Sequence, residues 1–114
     1  MRLNHTQGQA AETRALVFLQ QQGLTLLQRN WHCRFGEIDL IMREGDYLVF
    51  IEVRYRRHQN FGGAIASIDA HKLSKLQHSI SCYLQTYPTS LPCRLDAVLL
   101  QADDPPQWLR NISI

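Results

Sequence analysis

The residues best suited to chemistry lie between Gly36 and Arg57. There the chain reads Gly-Glu-Ile-Asp-Leu-Ile-Met, a short polar break, then Leu-Val-Phe-Ile-Glu-Val-Arg-Tyr-Arg-Arg. Acids occupy interior positions of both apolar segments: Glu37 and Asp39 in the first, Glu52 in the second. A carboxylate among Ile, Leu, Val and Phe is costly to bury unless something compensates it. The candidate compensators are a divalent cation or the neighbouring arginines. An Asp and a Glu on adjacent strands can hold one or two hard cations through oxygen. Mg²⁺ held this way can polarise a phosphoryl oxygen or activate a water. A cation such as Arg54 beside the second acid would stabilise charge developing on a phosphate.

The elements that must position these residues can be read from periodicity. Thr6-Gln-Gly-Gln9 has capping-box spacing, so a helix is expected from Thr6 to about Gln22, stopping at Gly23. Leu16 and Leu19 share a face of that helix, and Glu12 lies four residues before Leu16 on the same face. Glu12 could therefore serve as a third acid. Leu24 to Asn30 reads as a short strand. Gly36–Arg43 and Tyr47–Tyr55 read as longer strands, with Glu44-Gly45-Asp46 supplying turn residues for a hairpin.

Strand parity then sets a condition. Glu37, Asp39 and Ile41 are expected on one face, and Leu48, Phe50, Glu52 and Arg54 on one face of the next strand. With Glu44–Tyr47 as the loop, Asp39 faces Glu52 and Glu37 faces Arg54. A three-residue loop would separate Asp39 from Glu52 unless a bulge restored the parity. Residues 56–67 form a polar loop around Phe61-Gly62-Gly63. A second helix follows from about Asp69 to Gln85, with Leu73, Leu76, Ile80 and Leu84 as its stripe and Lys72 and Lys75 flanking it. Arg94–Gln101 reads as a strong strand, and Trp108–Ile114 as an edge strand. The expected order is α-β-β-β-α-β-β: an α/β fold with a mixed central sheet flanked by helices.

Length and composition bound the rest. A chain of 114 residues is expected to form a single domain, 1–114. Its apolar runs fall short of the roughly 20 residues of a membrane span, so no membrane is expected. The N-terminus lacks an apolar signal core, and the three cysteines are an odd number with no close pair, which fits a reducing cytoplasm. A net charge of +2 is too small to argue for nucleic acid by itself. Arg54, Arg56, Arg57 and His58 are nevertheless clustered, and Arg29, Arg34, Lys72 and Lys75 are further candidates for a basic surface.

Several segments together resemble a known family. Glu12 in a Gly-x-x-x-Glu context, Gly36-Glu-Ile-Asp-Leu-Ile41, and Phe50-Ile-Glu-Val-Arg-x-Arg56 look like the YraN-like family of small bacterial proteins. Phe61-Gly62, Lys72 and Arg94-Leu-Asp96 also fit. That family is similar to archaeal Holliday-junction resolvases within the PD-(D/E)XK nuclease superfamily. The resemblance implies a restriction-endonuclease-like core and Mg²⁺- or Mn²⁺-dependent hydrolysis of DNA phosphodiesters, branched or single-stranded. It implies Asp39, Glu52 and the Val53 carbonyl as metal ligands, with Glu12 assisting and Arg54 stabilising the transition state. Arg34, Arg56, Arg57, Lys72 and Lys75 would contact phosphates, and a homodimer would follow by analogy. One departure stands out: the superfamily's lysine is Arg54 here, and arginine stays protonated and so cannot accept a proton from water. Lys72 could substitute for it in space from the second helix.

Plainer readings stand beside these. Glu37 with Arg54, and Asp96 with Arg94, could be structural ion pairs. His78 and Cys82 are one helical turn apart, with Cys93 more distant, but no second pair has zinc-ligand spacing. Trp31, Phe35, Tyr55 and Phe61 could stack on bases or belong to the core and its rim. The rival functions are a nucleic-acid-binding module without cleavage and an interaction protein using an exposed sheet edge.

Overall fold

The structure, a computed structural model, describes residues 5–56 and 68–112. Of the loop expected over residues 56–67, Arg56 instead ends a strand, and 57–67, with Arg57, His58 and Phe61, lie outside the described residues. The elements are α1 (His5–Gln21), β1 (Thr25–Cys33), β2 (Gly36–Glu44), β3 (Tyr47–Arg56), α2 (Ala70–Thr86), β4 (Cys93–Gln101) and β5 (Gln107–Leu109). This is the expected α-β-β-β-α-β-β order, consistent with a restriction-endonuclease-like core. The helix starts at His5, ahead of the Thr6 expected to cap it, and the last strand is shorter than Trp108–Ile114.

The strands lie in the order β1-β2-β3-β4-β5. Only β3 and β4 pair in parallel, and α2 is the crossover that such a pair requires. Both faces of the central strands are covered, so Val49, Phe50 and Ile51 are all buried in succession. On one face, Ala11, Ala15, Leu16 and Leu19 of α1 pack against Leu40, Met42, Val49, Ile51, Val98 and Leu100. On the other, Leu76 and Tyr83 of α2 pack against Ile38, Ile41, Phe50 and Leu95.

Helix ends are fixed by local chemistry. Gly23, at φ 100°, ends α1: its N–H donates to the Gln20 carbonyl, and the Leu24 N–H donates to the Leu19 carbonyl. That is a Schellman closure, which needs a residue able to take positive φ. Asp69 caps α2 by accepting the Lys72 N–H at 2.8 Å, which anchors the backbone of the turn carrying Lys72.

The β2–β3 hairpin turns through Gly45 and Asp46, with Glu44 paired to Tyr47 and Gly45 at φ 57°. The even turn sets the register that continues through Leu40↔Ile51. Its next position would bring Asp39 against Glu52. The face expectation needs correction, however. Simple alternation would put Ile41 with Asp39 and Glu37, and Ile38 with Leu40. Instead Ile38 and Ile41 both pack on the α2 side, while Leu40 and Met42 pack on the α1 side. The reversal falls at Asp39. Opposite it on β1, between Arg29↔Leu40 and Trp31↔Ile38, lies Asn30 in the left-handed region at φ 55°. A left-handed residue inside a strand swings the following side chains to the other face.

Candidate functional site

The same irregularity builds the site. β2 and β3 stop pairing after Leu40↔Ile51, and the Val53 N–H is taken up by Asp39 Oδ2 at 2.8 Å. A cleft of about 220 Å³ opens there, lined by Glu12, Glu37, Asp39, Glu52, Val53, Arg54 and Lys72, with Gly8, Ala11 and Tyr55. Glu12 arrives from α1, Glu37 and Asp39 from β2, Glu52 and Arg54 from β3, and Lys72 from α2.

On the α1 side, Asn30 donates its amide to Glu12 Oε1 at 2.7 Å and to Glu37 Oε1 at 2.6 Å. Arg29 Nε lies 3.5 Å from Glu12 Oε1, and its guanidinium also donates to the Gln9 carbonyl and to Thr13 Oγ1. Carboxylate oxygens of Glu12, Glu37 and Asp39 lie within 4.8 Å of one another. No other group of three His, Cys, Asp or Glu residues comes this close among the described residues, so His78 and Cys82 gain no third ligand there.

On the α2 side, Glu52 is almost fully buried. Its Oε2 forms a salt bridge with Arg54 Nη2 at 2.7 Å and lies 3.7 Å from Lys72 Nζ. The expected Glu37–Arg54 contact is replaced by these pairings. Arg54 turns to Glu52 on its own strand face, and Glu37 turns to Asn30.

Electrostatics separates these acids. Burial, followed by the Glu52 charge, pushes the Asp39 carboxyl well above the usual carboxylate range. Burial also raises Glu12, opposed by the Asn30 hydrogen bond and reinforced by the charges of Asp39 and Glu37. The arginine and lysine stand behind Glu52, leaving Asp39 between like charges with one backbone N–H as its donor.

Of the sequence-predicted site residues, Glu12, Asp39, Glu52, Val53, Arg54 and Lys72 meet in this cleft. Arg34 does not line it; its guanidinium sits 4.8 Å over the Phe35 ring, beside a separate hollow shared with His78 and Cys82. Arg56 folds onto the Tyr55 carbonyl at 3.0 Å, and Lys75 is exposed on α2. Asp96 is fully buried on β4 and bonds Arg94, as the ion-pair reading expected.

Asn30 is the residue that sequence reasoning missed. The available signal was an asparagine in a strand, where it is disfavoured, because asparagine tolerates left-handed backbone. Asn30→Gly keeps that backbone and deletes the amide. The Glu12 carboxyl then rises further, since its opposing hydrogen bond is gone. A carboxyl NMR titration of both proteins reads this directly, and an unmoved or lowered Glu12 midpoint would refute the bridging role.

Comparison with known proteins agrees with the family suggested by the Gly36–Ile41 and Phe50–Arg56 segments. The family model for the uncharacterised protein family UPF0102 matches residues 11–100. A UPF0102 protein of Neisseria gonorrhoeae (strain NCCP11945) is 58% identical over 114 residues, covering 99% of each chain. One from Neisseria meningitidis serogroup C is 57% identical over the same span, again with 99% of each chain covered. A UPF0102 protein of Pseudomonas putida (strain GB-1) is 54% identical over 110 residues, covering 91% of this chain and 89% of its own. With a family match over most of its length and relatives this similar, the chain belongs to the uncharacterised protein family UPF0102.

Proposed function

We propose that this protein is a Mg²⁺- or Mn²⁺-dependent nuclease that hydrolyses DNA phosphodiester bonds, in branched or single-stranded substrates. The observation that carries the reading is Asp39. It is a carboxylate in an open cleft, crowded by Glu12, Glu37 and Glu52, with Arg54 and Lys72 directed to Glu52 and Arg29 to Glu12. Like charges so arranged need a proton or a cation. An all-oxygen donor set fits a hard divalent ion. Asp39, Glu52 and the Val53 carbonyl would hold it, and a divalent ion there would polarise a phosphoryl oxygen. Glu12 and Glu37, held by Asn30, would orient a water from the α1 side. Arg54 keeps Glu52 in place with a fixed positive charge. The resemblance to PD-(D/E)XK nucleases supports the same assignment.

The test is a crystal soaked in Mn²⁺, paired with cleavage assays on a panel of DNA structures. Anomalous density at Asp39 and Glu52, with metal-dependent cleavage, is the expected result. No density at those carboxylates and no cleavage in either metal would sink the proposal. One observation favours a second reading, a nucleic-acid-binding protein without turnover. Arg54, in the lysine position of the resemblance, is ion-paired to an acid of the site. That reading predicts salt-dependent DNA binding with no metal-dependent cleavage.

A further inference from the structure

We propose that the two cations beside Glu52 divide their roles: Lys72 contacts the phosphate of a nucleic acid entering the cleft, whereas Arg54 positions Glu52. The inference rests on the nucleic-acid reading above and adds a role for α2 to it. Both cations approach the same oxygen, Glu52 Oε2, but in different ways. Arg54 Nη2 is at hydrogen-bond distance, 2.7 Å, and its side chain is 21% exposed. Its Nε is enclosed and has no hydrogen-bond partner among the described residues. Turning this planar fork toward a substrate would leave the Glu52 carboxylate, 4% exposed, without its donor.

Lys72 is free to do what Arg54 is not. Its Nζ stands 3.7 Å from Glu52 Oε2, too far for a good hydrogen bond, and its side chain is 36% exposed. The backbone beneath it is fixed by the Asp69 cap, while the four-carbon stem can swing. Arg54 already matches the charge of Glu52, so the Lys72 ammonium is surplus positive charge on that wall. The opposite wall is acidic, with Glu12, Glu37 and Asp39. A phosphate that enters between them must be met by a cation, and of the two cations lining the cleft Lys72 is the more exposed and the less tightly held among the described residues.

The experiment measures binding apart from turnover. Lys72→Gln, Lys72→Arg and Arg54→Gln are made in an Asp39→Asn background, and binding to a fluorescent single-stranded oligonucleotide is followed across a salt series. One phosphate contact contributes about 0.7 to the slope of log affinity against log salt for a single strand. Lys72→Gln should lower the slope by about that amount. Lys72→Arg should restore it. Arg54→Gln should lower the melting temperature and, because Lys72 then becomes the counter-charge of Glu52, lower the slope by no more than Lys72→Gln does. With Asp39 intact, Lys72→Gln should also slow single-turnover cleavage.

The outcomes separate the two claims. Slope loss in Lys72→Gln, with no metal-dependent cleavage by the protein that keeps Asp39, upholds the contact and overturns the nuclease reading. Metal-dependent cleavage with an unchanged slope in Lys72→Gln upholds the nuclease and overturns the contact. Slope loss in Arg54→Gln instead of Lys72→Gln overturns the division of roles. No binding by the parent at the lowest salt overturns both claims.

Discussion

On the nuclease reading proposed above, Asp39→Asn should abolish metal-dependent cleavage, and it should make the metal-free protein more stable at neutral pH. The two effects share one cause. The folded protein holds the Asp39 carboxyl well above its ordinary value of 3.8, chiefly through burial and then through the Glu52 charge. Between the unfolded and folded titration midpoints, the folded state binds more protons than the unfolded one. The stability linked to this group is therefore fully present below 3.8 and is lost as pH rises through the raised midpoint. Glu12, raised from 4.5, acts in the same direction. Glu44 acts in the opposite direction, because Arg110 and Arg94 lower it; its contribution is lost only on acidification below its ordinary 4.5. A pH series above that value thus isolates the cleft acids. Asparagine removes the charge and can still accept the Val53 N–H through its carbonyl oxygen.

Calorimetry should show wild-type stability falling from mildly acidic to neutral pH, with a flatter profile in Asp39→Asn. A gain of 1 kcal/mol would raise the midpoint by roughly 4 °C. Mg²⁺ or Mn²⁺ should stabilise wild type at neutral pH by mass action and leave the variant unchanged. Cleavage should fall about a thousandfold or more, since a bound metal contributes several kcal/mol to phosphoryl chemistry. Wild-type cleavage rates in the variant, or a flat wild-type pH profile, would contradict this account of Asp39.

Parts of the site were legible in the chain and parts were not, for definable reasons. Asp39 and Glu52 were brought together by counting residues through the Gly45-Asp46 turn, because an even turn preserves pairing parity. Glu12 followed from helical spacing to Leu16. The Glu52–Arg54 contact was implicit in their shared strand face, yet charge alone could not tell a positioning arginine from a phosphate-binding one. The reversal at Asn30 was hidden, since alternation assumes that no strand residue adopts positive φ. The approach of Lys72 to Glu52 was also hidden, because it depends on how α2 docks over β3 and not on spacing.

Asp96→Ala should cost the fold about 3–5 kcal/mol, in contrast to the stabilising change at Asp39. Asp96 is fully buried, whereas Asp39 is only partly so, and the charge of Asp96 is met by several donors. Arg94 Nε donates to both of its oxygens, at 3.1 and 3.2 Å. The Trp108 indole donates to Oδ2 at 2.9 Å, and the Asn111 N–H donates to Oδ1 at 2.9 Å. These donors fasten the segment after β5 to β4, where the Ile112 N–H also reaches the Leu95 carbonyl at 2.7 Å. Arg94 and Arg110 converge on Glu44, so the same network holds the end of β2. Alanine would leave a mostly buried guanidinium, an indole N–H and a backbone N–H without their acceptor. Breaking such a buried pair costs about 3–5 kcal/mol, against a total stability of roughly 5–15 kcal/mol for a typical domain. Urea unfolding should show that loss, and a change below about 1 kcal/mol would mean that the network is dispensable. Mn²⁺ binding by the fraction that remains folded should persist, because Asp96 does not line the cleft. Two acids of one sheet are thus expected to respond oppositely to removal: Asp96 has its counter-charges built into the chain, whereas Asp39 shares its cleft with Glu12, Glu37 and Glu52.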